Sequence, residues 1–190
     1  MIGEILRFVL DIGFTLLGAV LLARAWLQAV KLHPFNPISQ AVFQATNWLV
    51  TPLRRIVPAG SGVDWASLLG ALLIAIVYLI LLWFVSTTSM LPAKLLPGIL
   101  GAAIATVMRW ALNLIVWLTL IQAVLSWLNP MATSMPVLRT MTNPLLEPIR
   151  RIMPSLGGLD LSPLLLIVLA QIVMMVLSRL TYQLFPLLII

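Results

Sequence analysis

The sequence predicts an all-α integral membrane protein with about four transmembrane helices, arranged as two tandem repeats of helix, amphipathic insert and helix. Three observations predict it. Of 190 residues, 62% are hydrophobic and only 8% are charged, where a soluble domain carries roughly 25% charged residues. The runs 65–85 and 110–128 contain no charge at all, and roughly 17–25 apolar residues cross a bilayer as a helix. Finally, NWLVTPLRRIVPAGSGVD at 47–64 returns as NPLLEPIRRIMPSLGGLD at 143–160. Nine paired positions are identical, among them Pro52/Pro148, Arg54/Arg150, Arg55/Arg151, Pro58/Pro154 and Asp64/Asp160. A fixed internal offset of this kind marks a duplicated unit. The apolar runs are continuous and do not alternate, so helices and not a barrel satisfy their backbone in lipid.

The first span is predicted near 5–30. It carries Arg7, Asp11 and Arg24, and its length, Asp11 near its start and the lack of a small-residue cleavage pattern argue against a cleaved signal peptide. Further spans are predicted near 65–87, 99–128 and 161–184, with the first repeat at 1–90 and the second at 91–190. The third run is too long for one upright span at about 1.5 Å per residue. It either tilts, or Arg109 marks the interface while 98–108 lies along the membrane surface as a short fifth segment.

Each insert reads as a helix lying against membrane or bundle. Ile38, Val42, Ala45, Leu49 and Leu53 recur at helical spacing in the first, and Leu138, Met141, Leu145 and Ile149 in the second. Pro52 and Pro148 are expected to open a short second helical element and Pro58 and Pro154 to stop it. Gly60, Gly62, Gly157 and Gly158 then permit tight turns. Asp64 is the expected N-cap of the second span. In the second repeat, Ser162-Pro163 reads as an N-cap followed by proline at the first helical position.

Lys31, Arg54 and Arg55 lie in the first connection, and Arg139, Arg150 and Arg151 in the third. The middle connection holds only Lys94. The bias of basic residues places both inserts in the cytoplasm and both termini outside. With two spans per repeat, the copies share one orientation and are related by an axis along the membrane normal. The net charge of +6 then reflects positive-inside loops facing anionic lipid, and nucleic acid is not an expected partner.

Several chemistries have no residues to carry them. There is no cysteine, so disulfides and thiolate sites are excluded. A lone histidine, His33, builds neither a zinc site nor bis-imidazole haem ligation. No phosphate-binding glycine loop, Ser/His/Asp set or zinc-protease motif occurs. No cofactor, metal or enzymatic activity is expected. The seven tryptophans fit interfacial belts for the most part.

The motifs LSWLNP … NPLLEPIRRIMPSLGGLDLSP and RAWLQ … VTPLRRIVPAGSGVD resemble the YggT family, called YlmG in other bacteria and in plastids. The resemblance covers both copies and implies a polytopic bacterial inner-membrane protein of the two-repeat form. Family-level associations are osmotic tolerance and potassium uptake, cell division and morphology, and, in plastids, nucleoid distribution and b-type cytochrome maturation. It supplies no catalytic residues. The resemblance also implies an arginine where this chain has Gln122, opposite Arg24 of the first copy.

The candidate site is therefore the set Arg54, Arg55, Asp64, Arg150, Arg151 and Asp160. Arginine forks match phosphate, so one reading is contact with an anionic lipid headgroup or a protein partner. The other is a structural clasp, with one arginine of each pair bound to the aspartate nine residues on. Arg24, Gln28, Arg109, Asn113 and Gln122 are polar groups within the spans, expected to hydrogen-bond between helices. Arg109 and Asn113 share one helix face and Gln122 and Ser126 another. Expected partners are membrane lipids, a membrane protein and further copies of the chain. The expected function is a non-enzymatic membrane factor in envelope organisation, division or complex assembly, acting through its inserts. The alternative is a channel or regulator in potassium or osmotic homeostasis.

Overall fold

The computed structural model describes residues 2–33, 36–57, 62–87, 92, 95–152 and 160–184. It contains α1 (Ile2–Ala29), α2 (Pro37–Leu53), α3 (Trp65–Thr87), α4 (Leu96–Leu128), α5 (Met135–Ile152) and α6 (Ser162–Leu184). α1, α3, α4 and α6 are long and apolar enough to cross a membrane. α1 packs chiefly on α3 and α4 on α6, with α1 and α3 joined to α4 across the repeat boundary. The insert helices α2 and α5 each lie against both spans of their own repeat.

α4 decides between the two alternatives for the third run. It is one unbroken helix of 33 residues, about 50 Å at 1.5 Å per residue, with no separate segment at 98–108. Its first half carries Ala102, Ala103, Ala105 and Thr106 buried. Small side chains let helices approach closely in lipid, where no hydrophobic effect drives them together. α3 does the same with Ala66, Ser67, Gly70, Ala71 and Ala75. α6 buries only a narrow stripe, including Ala170, Leu177 and Thr181.

Trp110 is the keystone. It is 0% exposed, which corrects its assignment to an interfacial belt. Trp48, Trp65, Trp117 and Trp127 are exposed, as a belt requires. The Trp110 ring lies 5.9 Å from that of Tyr78, itself 5.5 Å from Phe14. Gly18 of α1 faces Trp110 so closely that a Cβ there would fall 2.1 Å from the indole. Glycine is what allows α1 to meet α4 at this level.

The inserts form helices as expected, with one correction. Pro52 and Pro148 do not begin a second element. They lie inside α2 and α5, which continue through them. The apolar stripe of α2 divides between bundle and exterior, with Val42, Leu49 and Leu53 packed on core residues. Ser39, Thr46 and Val50 are buried, while Ile38 and Ala45 are exposed. α5 keeps Leu138 and Met141 buried, as expected, together with Thr142 and Leu146. Asn36 caps α2, its side chain accepting from Ile38 N at 2.9 Å. α1 ends with Lys31 at φ 54, where Leu32 N bonds Leu27 O and Lys31 N bonds Gln28 O, each at 3.0 Å. This is a Schellman closure built without glycine. Pro58, Gly60, Lys94, Pro154, Gly157 and Gly158 lie outside the described residues.

Candidate functional site

Asp64 precedes the first residue of α3 and caps it. Its Oδ1 accepts from Ser67 N at 3.3 Å and its Oδ2 from Ser67 Oγ at 2.8 Å. An N-cap carboxylate answers both the free amides and the helix dipole. Arg54 closes on it from the end of α2, Nη2 donating to Oδ2 at 2.7 Å. The aspartate is 0% exposed and the arginine 37%. The clasp therefore exists, but through the first arginine of the pair, ten residues before the aspartate, and not through Arg55 at nine.

Arg24 enters the same cluster from α1, 4% exposed. Its Nη1 donates to Thr46 Oγ1 at 2.7 Å and to Asn47 Oδ1 at 2.9 Å. Its guanidinium lies 5.0 Å from the Phe43 ring centroid, within cation–π range. Arg24 Nε stands 3.4 Å from Asp64 Oδ2, a charge contact without hydrogen-bond geometry, since that Nε has no hydrogen-bond partner. One buried carboxylate thus ties together α1, α2 and α3. Burial pushes the Asp64 carboxyl up, but the hydrogen bonds from Ser67 and Arg54 and the Arg54 charge outweigh it and hold the group below the usual carboxylate range.

The second repeat uses the same positions differently. Gln122 takes the place of Arg24, and its amide pairs with the Thr142 hydroxyl, as Arg24 pairs with Thr46. That hydroxyl also meets Leu138 O at 2.8 Å, as Thr46 meets Val42 O at 2.7 Å. Asp160 accepts from Arg150 Nε at 2.8 Å and from Ser162 N at 3.0 Å. Asp160, and not Ser162, supplies the cap of α6, which corrects the assignment of Ser162. The pair is open, Asp160 being 44% exposed and Arg150 37%. Partial burial raises the Asp160 carboxyl, and bonds from Ser162 and Arg150 more than offset this. Arg150 also reaches Asn143 Oδ1 at 3.3 Å.

Arg55 and Arg151 stay outside both clasps. Each is exposed and, among the described residues, makes no ion pair or hydrogen bond through its side chain. Gln28 is half-buried one turn beyond Arg24. Arg109 and Asn113 are half-buried on α4, while Ser126 is exposed although Gln122 is buried. Arg109 belongs with a second polar group at the other end of the bundle, where the Tyr78 hydroxyl donates to Asp11 Oδ1 at 2.9 Å. In the sequence Asp11 stood out only as a charge interrupting the first span, and nothing marked Tyr78, a tyrosine in an otherwise uncharged run, as its partner. Among the described residues, no three His, Asp or Glu side chains gather as a metal site would require.

Four apolar helices, two clasped inserts and one repeated plan define a polytopic helical membrane protein built by duplication. The chain belongs to the CCB3/YggT family, whose model matches residues 3–85 and again 101–181. Similar proteins include the "Uncharacterized protein YggT" of Escherichia coli K12, 36% identical over 90% of this chain and 87% of that protein. The "Uncharacterized protein in proC 3'region" of Vibrio alginolyticus is 32% identical over 86% of this chain and 88% of its own length. No solved structure matches the chain.

Proposed function

We propose that the protein is a non-enzymatic membrane scaffold of the bacterial inner membrane, whose two inserts face the cytoplasm and contact anionic phospholipid, supporting envelope organisation, division or the assembly of membrane complexes. The observation that carries this reading is the division of labour within each arginine pair. Arg54 and Arg150 are committed to aspartates, while Arg55 and Arg151 stand exposed at matching places in the two repeats, without a side-chain partner among the described residues. An exposed guanidinium at a membrane surface is a bidentate phosphate ligand. The potassium or osmotic role has no comparable support, since the space between the repeats is walled by apolar side chains.

The test is titration of anionic phospholipid into delipidated protein, read by native mass spectrometry. The double variant Arg55→Ala/Arg151→Ala is expected to bind at least about fivefold more weakly, each charge-assisted hydrogen bond being worth about 1.5–3 kcal/mol before solvent screening, with its thermal unfolding unchanged. Unchanged binding by the folded variant sinks the reading. For orientation, single cysteines at Ser61 and Ser155 should be labelled only from the cytoplasmic side, and labelling from outside would reverse the topology.

A further inference from the structure

A cavity of about 310 Å³ lies between the repeats, walled by α1, α4 and α5 and the residues entering α3. This is within the roughly 300–1,000 Å³ of small-molecule sites. Its lining is apolar apart from Trp26, Thr119 and Thr142. Two of these are already satisfied. Trp26 Nε1 donates to Met141 O at 2.8 Å, and Thr142 is engaged with Gln122 and Leu138 O.

Thr119 is not satisfied. It is 0% exposed, and its hydroxyl has no hydrogen-bond partner. The other four buried threonines, Thr46, Thr106, Thr142 and Thr181, each turn back on the carbonyl four residues earlier. Thr119 has the same helical option and does not use it. A buried unsatisfied hydroxyl costs about 1–3 kcal/mol, and this one borders the apolar cavity.

The height of Thr119 in the cavity decides the ligand class. The α4 wall runs from Ala111 to Thr119, about 12 Å along the helix. Thr119 is the α4 wall residue nearest the insert end, Trp26 packs in one cluster with its neighbour Leu118, and the wall below it is Ala111, Leu114, Ile115 and Leu118. The order is a hydrogen-bond donor at the insert end and hydrocarbon toward the membrane centre. That is the order of groups in one acyl chain of an ester-linked phospholipid. We infer that this cavity is a lipid-tail site: a single phospholipid acyl chain lies between the repeats, its ester carbonyl accepting a hydrogen bond from Thr119 and its headgroup emerging beside α5. The Asn143, Thr140 and Glu147 surface adjoining Trp26 and Ala29 is where the headgroup leaves. This inference rests on Thr119 and the cavity, not on the exposed arginines. It stands if those arginines bind a protein instead.

The test uses the full chain purified in mild detergent and exchanged with phosphatidylglycerol carrying a diazirine in one acyl chain. Photolabelling mapped by mass spectrometry should concentrate on peptides containing 22–29 and 111–119. Ala111→Phe, which fills the deep end, should cut that labelling at least fivefold while labelling of the outward faces of α1 and α6 persists. Thr119→Val removes only the hydroxyl, should fold as the wild type does, and should lower retention of the phospholipid about fivefold, the loss expected for one hydrogen bond. Labelling spread evenly over the lipid-facing surface and unaffected by either variant overturns the site. Co-purification of an isoprenoid without an ester, displaced by Ala111→Phe, overturns the phospholipid assignment. Loss of labelling in the Arg55→Ala/Arg151→Ala protein is not expected. Failure of that variant to lose headgroup affinity bears only on the scaffold reading.

Discussion

Asp64 and Asp160 hold the same place in the two repeats, and their surroundings are opposite. Asp64 is sealed among Arg24, Arg54 and Ser67, with no exposed surface. Asp160 meets Arg150 in the open, with nearly half its side chain exposed. The difference traces to one position in the preceding span. Arg24 brings a second positive charge down to the first carboxylate, while Gln122 keeps only the hydrogen bond to the insert threonine. A duplicated scaffold thus preserves the span-to-insert contact with a neutral side chain but seals its aspartate only where the arginine is present. The first repeat is a locked three-helix joint, and the second is a joint with a solvent-facing ion pair.

The largest expected effect comes from emptying the locked joint. Asp64→Ala leaves Arg24 buried without its countercharge, and breaking a buried pair in this way costs about 3–5 kcal/mol. The loss should appear as a large drop in thermal or denaturant stability in detergent. The next effect tests the surface on which the repeats meet. Gly18→Ala drives a methyl into the Trp110 indole and should cost about 1–3 kcal/mol, as overpacking does, by the same assay. A Gly18→Ala protein as stable as wild type would mean that α1 and α4 are not held at this distance.

Acid sharpens the contrast. Both aspartates titrate below the usual carboxylate value when folded. Each therefore contributes stability that is full above about pH 4, the unfolded value, and lost as pH falls through the lowered folded value. Unfolding followed from pH 7 down to 2.5 should show this loss, and Asp64→Asn should flatten the profile far more than Asp160→Asn. The smallest effect is Asp160→Ala itself, expected at about 0.2–1 kcal/mol because an exposed ion pair is screened by solvent.

The spans were legible because uninterrupted apolar runs in 65–85 and 110–128 leave no other way to satisfy the backbone in a bilayer. The clasp was half legible. The repeated Arg-Arg and Asp announced a pairing, but sequence distance alone does not choose between two adjacent arginines. The choice is made by where α2 ends, with Arg54 turning toward Asp64 and Arg55 away. Arg24's membership was hidden for another reason. A charge inside an apolar run asks for a partner without naming it. The stripe through Ile38 and Ala45, open to membrane or bundle alike, did not single out Thr46 as the group that meets Arg24. In a membrane protein, however, a threonine and an asparagine side by side are candidates for the inward face when an arginine must be met. Trp110 was misplaced because tryptophan at a span's edge and tryptophan at a helix crossing look alike in sequence. Gly18 was the signal that distinguishes them.

The most direct test of the contrast between the repeats is a pair of double-mutant cycles measured in one detergent, Arg24 with Asp64 and Arg150 with Asp160. The account predicts a coupling of about 1–3 kcal/mol in the first and no more than about 1 kcal/mol in the second. Equal couplings, or a larger one at Arg150 and Asp160, would contradict it.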